Sequence, residues 1–259
     1  MPRYAANLTM LFNEIDFLDR FEAAARAGFS GVEYLFPYAY PAAELRTRLD
    51  ANGLTQVLHN LPAGDWNAGE RGIACHPDRT AEFAAGVGRA IDYAHALGCQ
   101  QVNCLAGRVP VGVSQHDARD TFVGNLKVAA AMLAAAGVRL LIEPINTRDI
   151  PGFFLHHTKQ ALDIMDEVGS DNLFLQYDVY HMQIMEGDLA TTLERTIARI
   201  AHIQIADPPA RHEPGTGEIN YDFLLGHLDR LGYAGWVGLE YKPAGRTEDG
   251  LRWMRRPHA

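Results

Sequence analysis

The chain has 259 residues, 47% of them hydrophobic and 21% charged, with a formal net charge of −9. That balance is ordinary for a soluble globular protein. The acidic surplus and the lack of any Lys/Arg cluster argue against a nucleic-acid partner, because phosphate backbones are held by clustered basic residues.

Cys75, Cys99 and Cys104 are odd in number and lack CxxC spacing. They fit buried, reduced thiols better than a disulfide framework. The first residues, Met1 to Leu8, lack the basic head, apolar run and cleavage site of a secretory leader. The longest apolar helical run, 128–136, falls well short of the ~20 residues that cross a bilayer. A cytoplasmic protein with no membrane partner is expected.

In chain order, one phrase recurs: an amphipathic helix, a glycine, a short spacer and an apolar strand. It appears around Gly28, Gly53, Gly98, Gly137, Gly169 and Gly232, and glycine at a helix end permits the left-handed turn into the next strand. In the first helix Phe17, Leu18, Phe21, Ala24 and Ala25 share one face, with charged residues directed elsewhere. Strands are predicted near 4–8, 31–35, 56–59, 101–105, 140–143, 173–178, 200–205 and 236–240. Each is short and mostly apolar, as in a parallel sheet buried on both faces.

Eight strands alternating with helices over about 250 residues suit an α/β, (β/α)8 TIM barrel. Residues 1–259 are read as a single domain, with an open doubly wound sheet as the alternative. Two post-strand loops exceed a bare connection: Leu61 to His76, whose glycines suggest a segment able to close over a site, and Asp207 to Ile219. Post-strand loops build the active end of such a barrel.

Four later strands each end on a group able to bind a hard cation: Glu143, Asp178, Gln204 and Glu240. Their spacing brackets the roughly 30 residues of one strand-plus-helix unit, so they converge at one barrel end. Any one of them alone could simply cap a helix. Three carboxylates together would repel unless a cation lay between them. An all-oxygen set favours Mg²⁺ or Mn²⁺ over zinc. His202 shares a face with Gln204 and is placed one layer lower, as a packed or supporting group.

The chain resembles the xylose-isomerase-like barrel superfamily and, within it, the hydroxypyruvate isomerase group. The likeness rests on Ala6-Asn7-Leu8, the segment Leu58 to Trp66, Ala68-Gly69-Glu70-Arg71-Gly72, and Ile142-Glu143-Pro144-Ile145-Asn146. It continues through Tyr177 to Gln183, His202 to Asp207, Glu213 to Tyr221 and Gly235 to Pro243. Gln204 stands where the superfamily's epimerases place His, a feature that the hydroxypyruvate group shares.

The resemblance implies interconversion of hydroxypyruvate and tartronate semialdehyde, in glyoxylate metabolism, through an enediolate. Glu143 and Glu240 would trade the proton while an ion holds the oxygens. The partner is then a small three-carbon 2-oxo acid, whose carboxylate needs a cation or N–H donors. Arg71, Arg108, Arg211 and Lys242 follow strands and are candidates. Arg211 and His181 match substrate-contacting positions of the family, and Glu70 and His59 are further binding candidates.

A 2-oxo-tetronate isomerase or sugar 3-epimerase of the same superfamily is the nearest alternative. A metal-dependent phosphodiesterase and a barrel that binds a sugar acid without turnover are the rivals of other classes. The oligomeric state is left open, a homo-oligomer included.

Overall fold

A computed structural model of the chain describes residues 2–255. The strands are β1 (Arg3–Asn7), β2 (Gly31–Glu33), β3 (Thr55–Asn60), β4 (Gln101–Cys104), β5 (Arg139–Ile142), β6 (Leu173–Asp178), β7 (Ile200–Ile205) and β8 (Trp236–Leu239). They pair in parallel in sequence order, and β1 closes on β8 with Ala5 opposite Gly238. The eight predicted strands are all present. Helices α1 (Arg20–Arg26), α2 (Ala42–Asn52), α3 (Thr80–Leu97), α4 (Gln115–Ala135) and α5 (Thr158–Val168) follow β1 to β5. After β6 come α6 (Val179–Met185) and α7 (Leu189–Thr196); α8 (Tyr221–Arg230) follows β7 and α9 (Thr247–Gly250) follows β8.

Local chemistry sets the ends of these helices. Gly53 and Gly98 close α2 and α3 with left-handed φ of 61° and 68°. Ser114 caps α4 by accepting from the Asp117 N–H, and Asn220 caps α8 by accepting from the Phe223 N–H.

Strand alternation divides the core in two. Side chains such as Ala6, Val102, Cys104, Leu140, Ile142, Leu175 and Ile203 point outward into the main hydrophobic layer beneath the helices. Inside the barrel the apolar plug is small: Ala5, Val57, Leu58, Leu141 and Ala201. Much of the remaining lumen is lined by buried polar side chains, among them Glu33, Gln176, His202 and Gln204. The ladder slips beside two of them, between Val32 and Glu33 and between Leu175 and Gln176. Such irregularities re-aim side chains next to active sites.

The three cysteines are free and buried, and burial raises each thiol above its usual pKa. Among the described residues no helix is long and apolar enough to cross a membrane.

Candidate active site

Glu143, Asp178, Gln204 and Glu240 meet at the C-terminal mouth of the barrel, all nearly fully buried. Except for Asp178, which lies beside it, they line a cavity of about 110 Å³ together with Asn7, Glu33, Asn60, Trp66, His181 and Arg211. Glu143, Asp178, His181 and Glu240 each place one ligand-capable atom within 4.8 Å of the others.

Burial, compounded by Glu240 and Asp178, holds the Glu143 carboxyl well above the usual range. Burial likewise lifts Glu240 to about 8, with Arg211 opposing, and Asp178 to about 6. Three buried carboxyl groups this close together resist ionising together unless positive charge is supplied.

Asp178 serves two purposes. Its Oδ1 accepts from the Tyr180 N–H at 2.8 Å and caps α6, while Oδ2 is buried without a hydrogen-bond partner. A buried oxygen left bare beside two further carboxyl groups fits a cation-binding cluster.

Arg211 carries the positive charge that the cluster already has. Its Nη2 lies 2.5 Å from Glu240 Oε2 and 3.7 Å from Asp178 Oδ2, with the guanidinium 4.8 Å over the Tyr180 ring. The loop after β7 delivers it by placing Arg211 at φ 61°, left-handed for a non-glycine residue. That loop is pinned by buried Asp207, whose carboxylate accepts from the N–H groups of Gly215, Gly217 and Ile219.

Three sequence candidates fall elsewhere. His59 is buried on the opposite face of β3 from Leu58 and Asn60, facing Tyr38 rather than the cavity. It stays neutral, its pKa lowered to about 4 by burial; alternation along the strand places it there. Glu70 is tied to Arg79, and Arg71 stacks on Trp66 at 4.1 Å while donating to the carbonyls of Trp66 and Glu70. Those local partners hold both charges away from the cavity, so Trp66 alone of the 61–76 loop joins Leu61's neighbour Asn60 at its wall. The loop is also anchored: Gly72 donates to Ala63, Cys75 to Ala106, and Asn125 to the Ala74 carbonyl. His202 lies below Gln204, as expected, 2.7 Å from Glu33 Oε2.

Several site residues went unnoticed in the sequence. Asn103 donates to Glu143 Oε2 at 2.9 Å, and Asn7 donates to Glu240 Oε1 at 3.2 Å and Glu33 Oε1 at 3.0 Å. Glu33 also accepts from Gln204 Nε2 at 2.7 Å, and Gln204 Oε1 accepts from Gln176 at 2.6 Å. A Cβ on Gly238 would come within 2.4 Å of the Glu33 carboxylate oxygens, so glycine there makes room for it. Asn7, Glu33 and Asn103 stand at or near strand ends in β1, β2 and β4, the signal that marked the later candidates.

A model of xylose isomerase-like TIM barrels matches residues 21–256. The chain belongs to that family. It is 57% identical to hydroxypyruvate isomerase of Escherichia coli K12 over 254 residues, covering 98% of both chains. It is 54% identical to 2-oxo-tetronate isomerase of Cupriavidus necator, again over 98% of both. A crystal structure of a family 2 AP endonuclease from Brucella melitensis superposes with a TM-score of 0.96 at 46% identity, covering 98% of each chain. With relatives so close along its whole length, the chain is an isomerase of this family.

Proposed function

We propose that the protein interconverts hydroxypyruvate and tartronate semialdehyde, with Glu143 and Glu240 as the proton-transfer pair. The observation that carries this reading is the closeness of those two buried carboxyl groups at one cavity, with an oxygen of each within 4.8 Å of the other. In the forward direction one glutamate, as the carboxylate, takes a proton from C3 and the other, as the carboxylic acid, delivers one to C2. The hydroxyl proton passes from O3 to O2, so atoms and charge balance. The roles exchange in the reverse direction.

Glu143, Asp178 and Glu240 would hold a divalent cation, with Gln204 as fourth ligand. A carbonyl oxygen has two lone pairs, and Gln176 takes only one of those on Gln204 Oε1. When bound, the ion supplies positive charge where the enediolate oxygens become negative. The oxygen ligands favour Mg²⁺ or Mn²⁺. Arg211 orients the substrate carboxylate and offsets the cluster's negative charge, and His181 donates to a substrate oxygen. Trp66, Leu58, Leu105 and Ile145 give the apolar wall that keeps water from the enediolate.

A second reading, a four-carbon 2-oxo acid, is favoured by the near-equal likeness to the 2-oxo-tetronate enzyme. A net charge of −9 weighs against a DNA substrate. An NMR assay following loss of hydroxypyruvate, run beside 2-oxo-tetronate and with and without chelator, tests the assignment. Faster turnover of hydroxypyruvate, abolished by chelator, is expected; conversion of the four-carbon acid alone moves the assignment to the second reading.

A further inference from the structure

His181 sits among the cluster's possible metal ligands, yet its surroundings give it a different task. Its Nε2 faces Asp178 Oδ2 at 3.5 Å and Glu143 Oε1 at 3.9 Å. Its Nδ1 lies 2.6 Å from the side-chain amide nitrogen of Asn146, a residue with no solvent exposure. Which nitrogen carries the proton depends on which way that amide is turned.

Two contacts settle the amide's sense. Asn146 Oδ1 accepts from the backbone N–H of Asp149 at 2.7 Å, a donor that cannot change character. Asn146 Nδ2 lies 3.2 Å from Asp149 Oδ2, which also accepts from the Tyr180 hydroxyl at 2.9 Å. Turning the amide over would set NH₂ against N–H and oxygen against carboxylate, losing both bonds. Asn146 therefore presents N–H to the ring, Nδ1 must accept, and the ring proton lies on Nε2.

We propose that Asn146 is a positioning residue that fixes His181 as the neutral Nε2–H tautomer, an N–H donor to a substrate oxygen and not a metal ligand. This rests on the proposed isomerisation only in naming the oxygen that receives the bond. With the lone pair on Nδ1 already engaged, the side facing the cavity offers a hydrogen. The fourth ligand then falls to Gln204. The chain Tyr180–Asp149–Asn146–His181 runs through the loop after β5, where Glu143 and Asn146 stand three residues apart and enter the site together. A neutral donor suits this reaction: it steadies negative charge on oxygen without giving up its proton to the nearby carboxylates.

The test is long-range ¹H–¹⁵N NMR on histidine-labelled protein, with the His181 signal assigned by its absence in His181→Asn. The wild type should show an unprotonated Nδ1 and a protonated Nε2, unchanged when Mg²⁺ is added. Asn146→Asp exchanges the donor for an acceptor and should move the proton to Nδ1, lowering kcat by roughly 10²-fold, the usual cost of losing one oriented donor. Asn146→Ala should give mixed tautomers and a smaller loss. In a His181→Asn background Asn146→Asp should add little further loss.

Protonated Nδ1 in the wild type, loss of the Nε2 proton on adding Mg²⁺, or full additivity of the two substitutions would each overturn the proposal. The spectrum needs no substrate. A failure of the isomerase reading would therefore leave the tautomer result standing, and the reverse holds too.

Discussion

The two halves of the barrel mouth differ in what they contribute. Strands β5 to β8 and the residues just after them bring Glu143, Asp178, Gln204 and Glu240, the groups able to take protons or hold an ion. Strands β1 to β4 bring mainly amides, two of which are aimed at carboxylates across a strand boundary: Asn103 at Glu143, Asn7 at Glu240. Even the one acid on that side, Glu33, is occupied by Asn7, Gln204 and His202. In the proposed mechanism one half supplies reactivity and the other holds it in place. The difference follows from cost: a buried carboxylate near others needs a donor or a cation, whereas an amide can be buried with hydrogen bonds alone.

The largest break in that division should come from stripping divalent ions. Turnover is expected to vanish and to return with Mg²⁺ or Mn²⁺, monitored alongside metal analysis. The pH dependence of binding sharpens the point. Burial favours the protonated form of Glu240, up to about 8, and holds the Glu143 carboxyl well above the usual carboxylate range. A cation favours the carboxylate form of the groups around it, so ion binding releases protons and affinity should rise as pH increases toward about 8. Calorimetry in buffers of different ionisation heat would detect the release; affinity independent of pH between 6 and 8 would break the account of the acidic half.

Smaller effects should follow on the supporting side. Asn103→Leu and Asn7→Leu each remove a donor to a buried carboxylate, an interaction worth about 1.5–3 kcal/mol, or roughly 10- to 100-fold in rate. Steady-state kinetics should show the loss mainly in kcat. A loss confined to KM would mean that these amides meet substrate and do not position the glutamates. The smallest effect is expected from Arg71→Ala, because Arg71 is bound to Trp66 and Glu70 away from the cavity. Its kcat/KM should stay within about threefold of wild type, unless loss of its stacking frees Trp66 at the wall.

The fold was legible because its signals are local: glycine after six of the helices, apolar runs for each buried strand. The reactive half of the site was legible for the same reason, since a carboxylate ending an apolar strand stands out. Asn7 and Asn103 in the supporting half were not, because an amide in a strand carries no charge that demands neutralising, whereas Glu33 carries the same signal as the later carboxylates and was passed over. His59 misled for a geometric reason: one step along a strand turns a side chain to the other face. Glu70 and Arg71 misled because charge in a loop near the mouth does not reveal which local partner, here Arg79 or Trp66, will claim it. The role of Asn146 depends on contacts with Asp149 and His181 that no spacing announces.

The central claim is that two glutamates divide the proton transfer, and hydrogen exchange into substrate in deuterated solvent tests it most directly. Glu143→Gln and Glu240→Gln keep size and one carbonyl oxygen but remove the basic carboxylate. With metal content matched, each should lower product formation by roughly 10²-fold or more, the contribution of a positioned acid or base. One of the two should still exchange the C3 protons of hydroxypyruvate with solvent while forming no product, having kept the base and lost the acid. Near wild-type turnover in either variant would contradict the account.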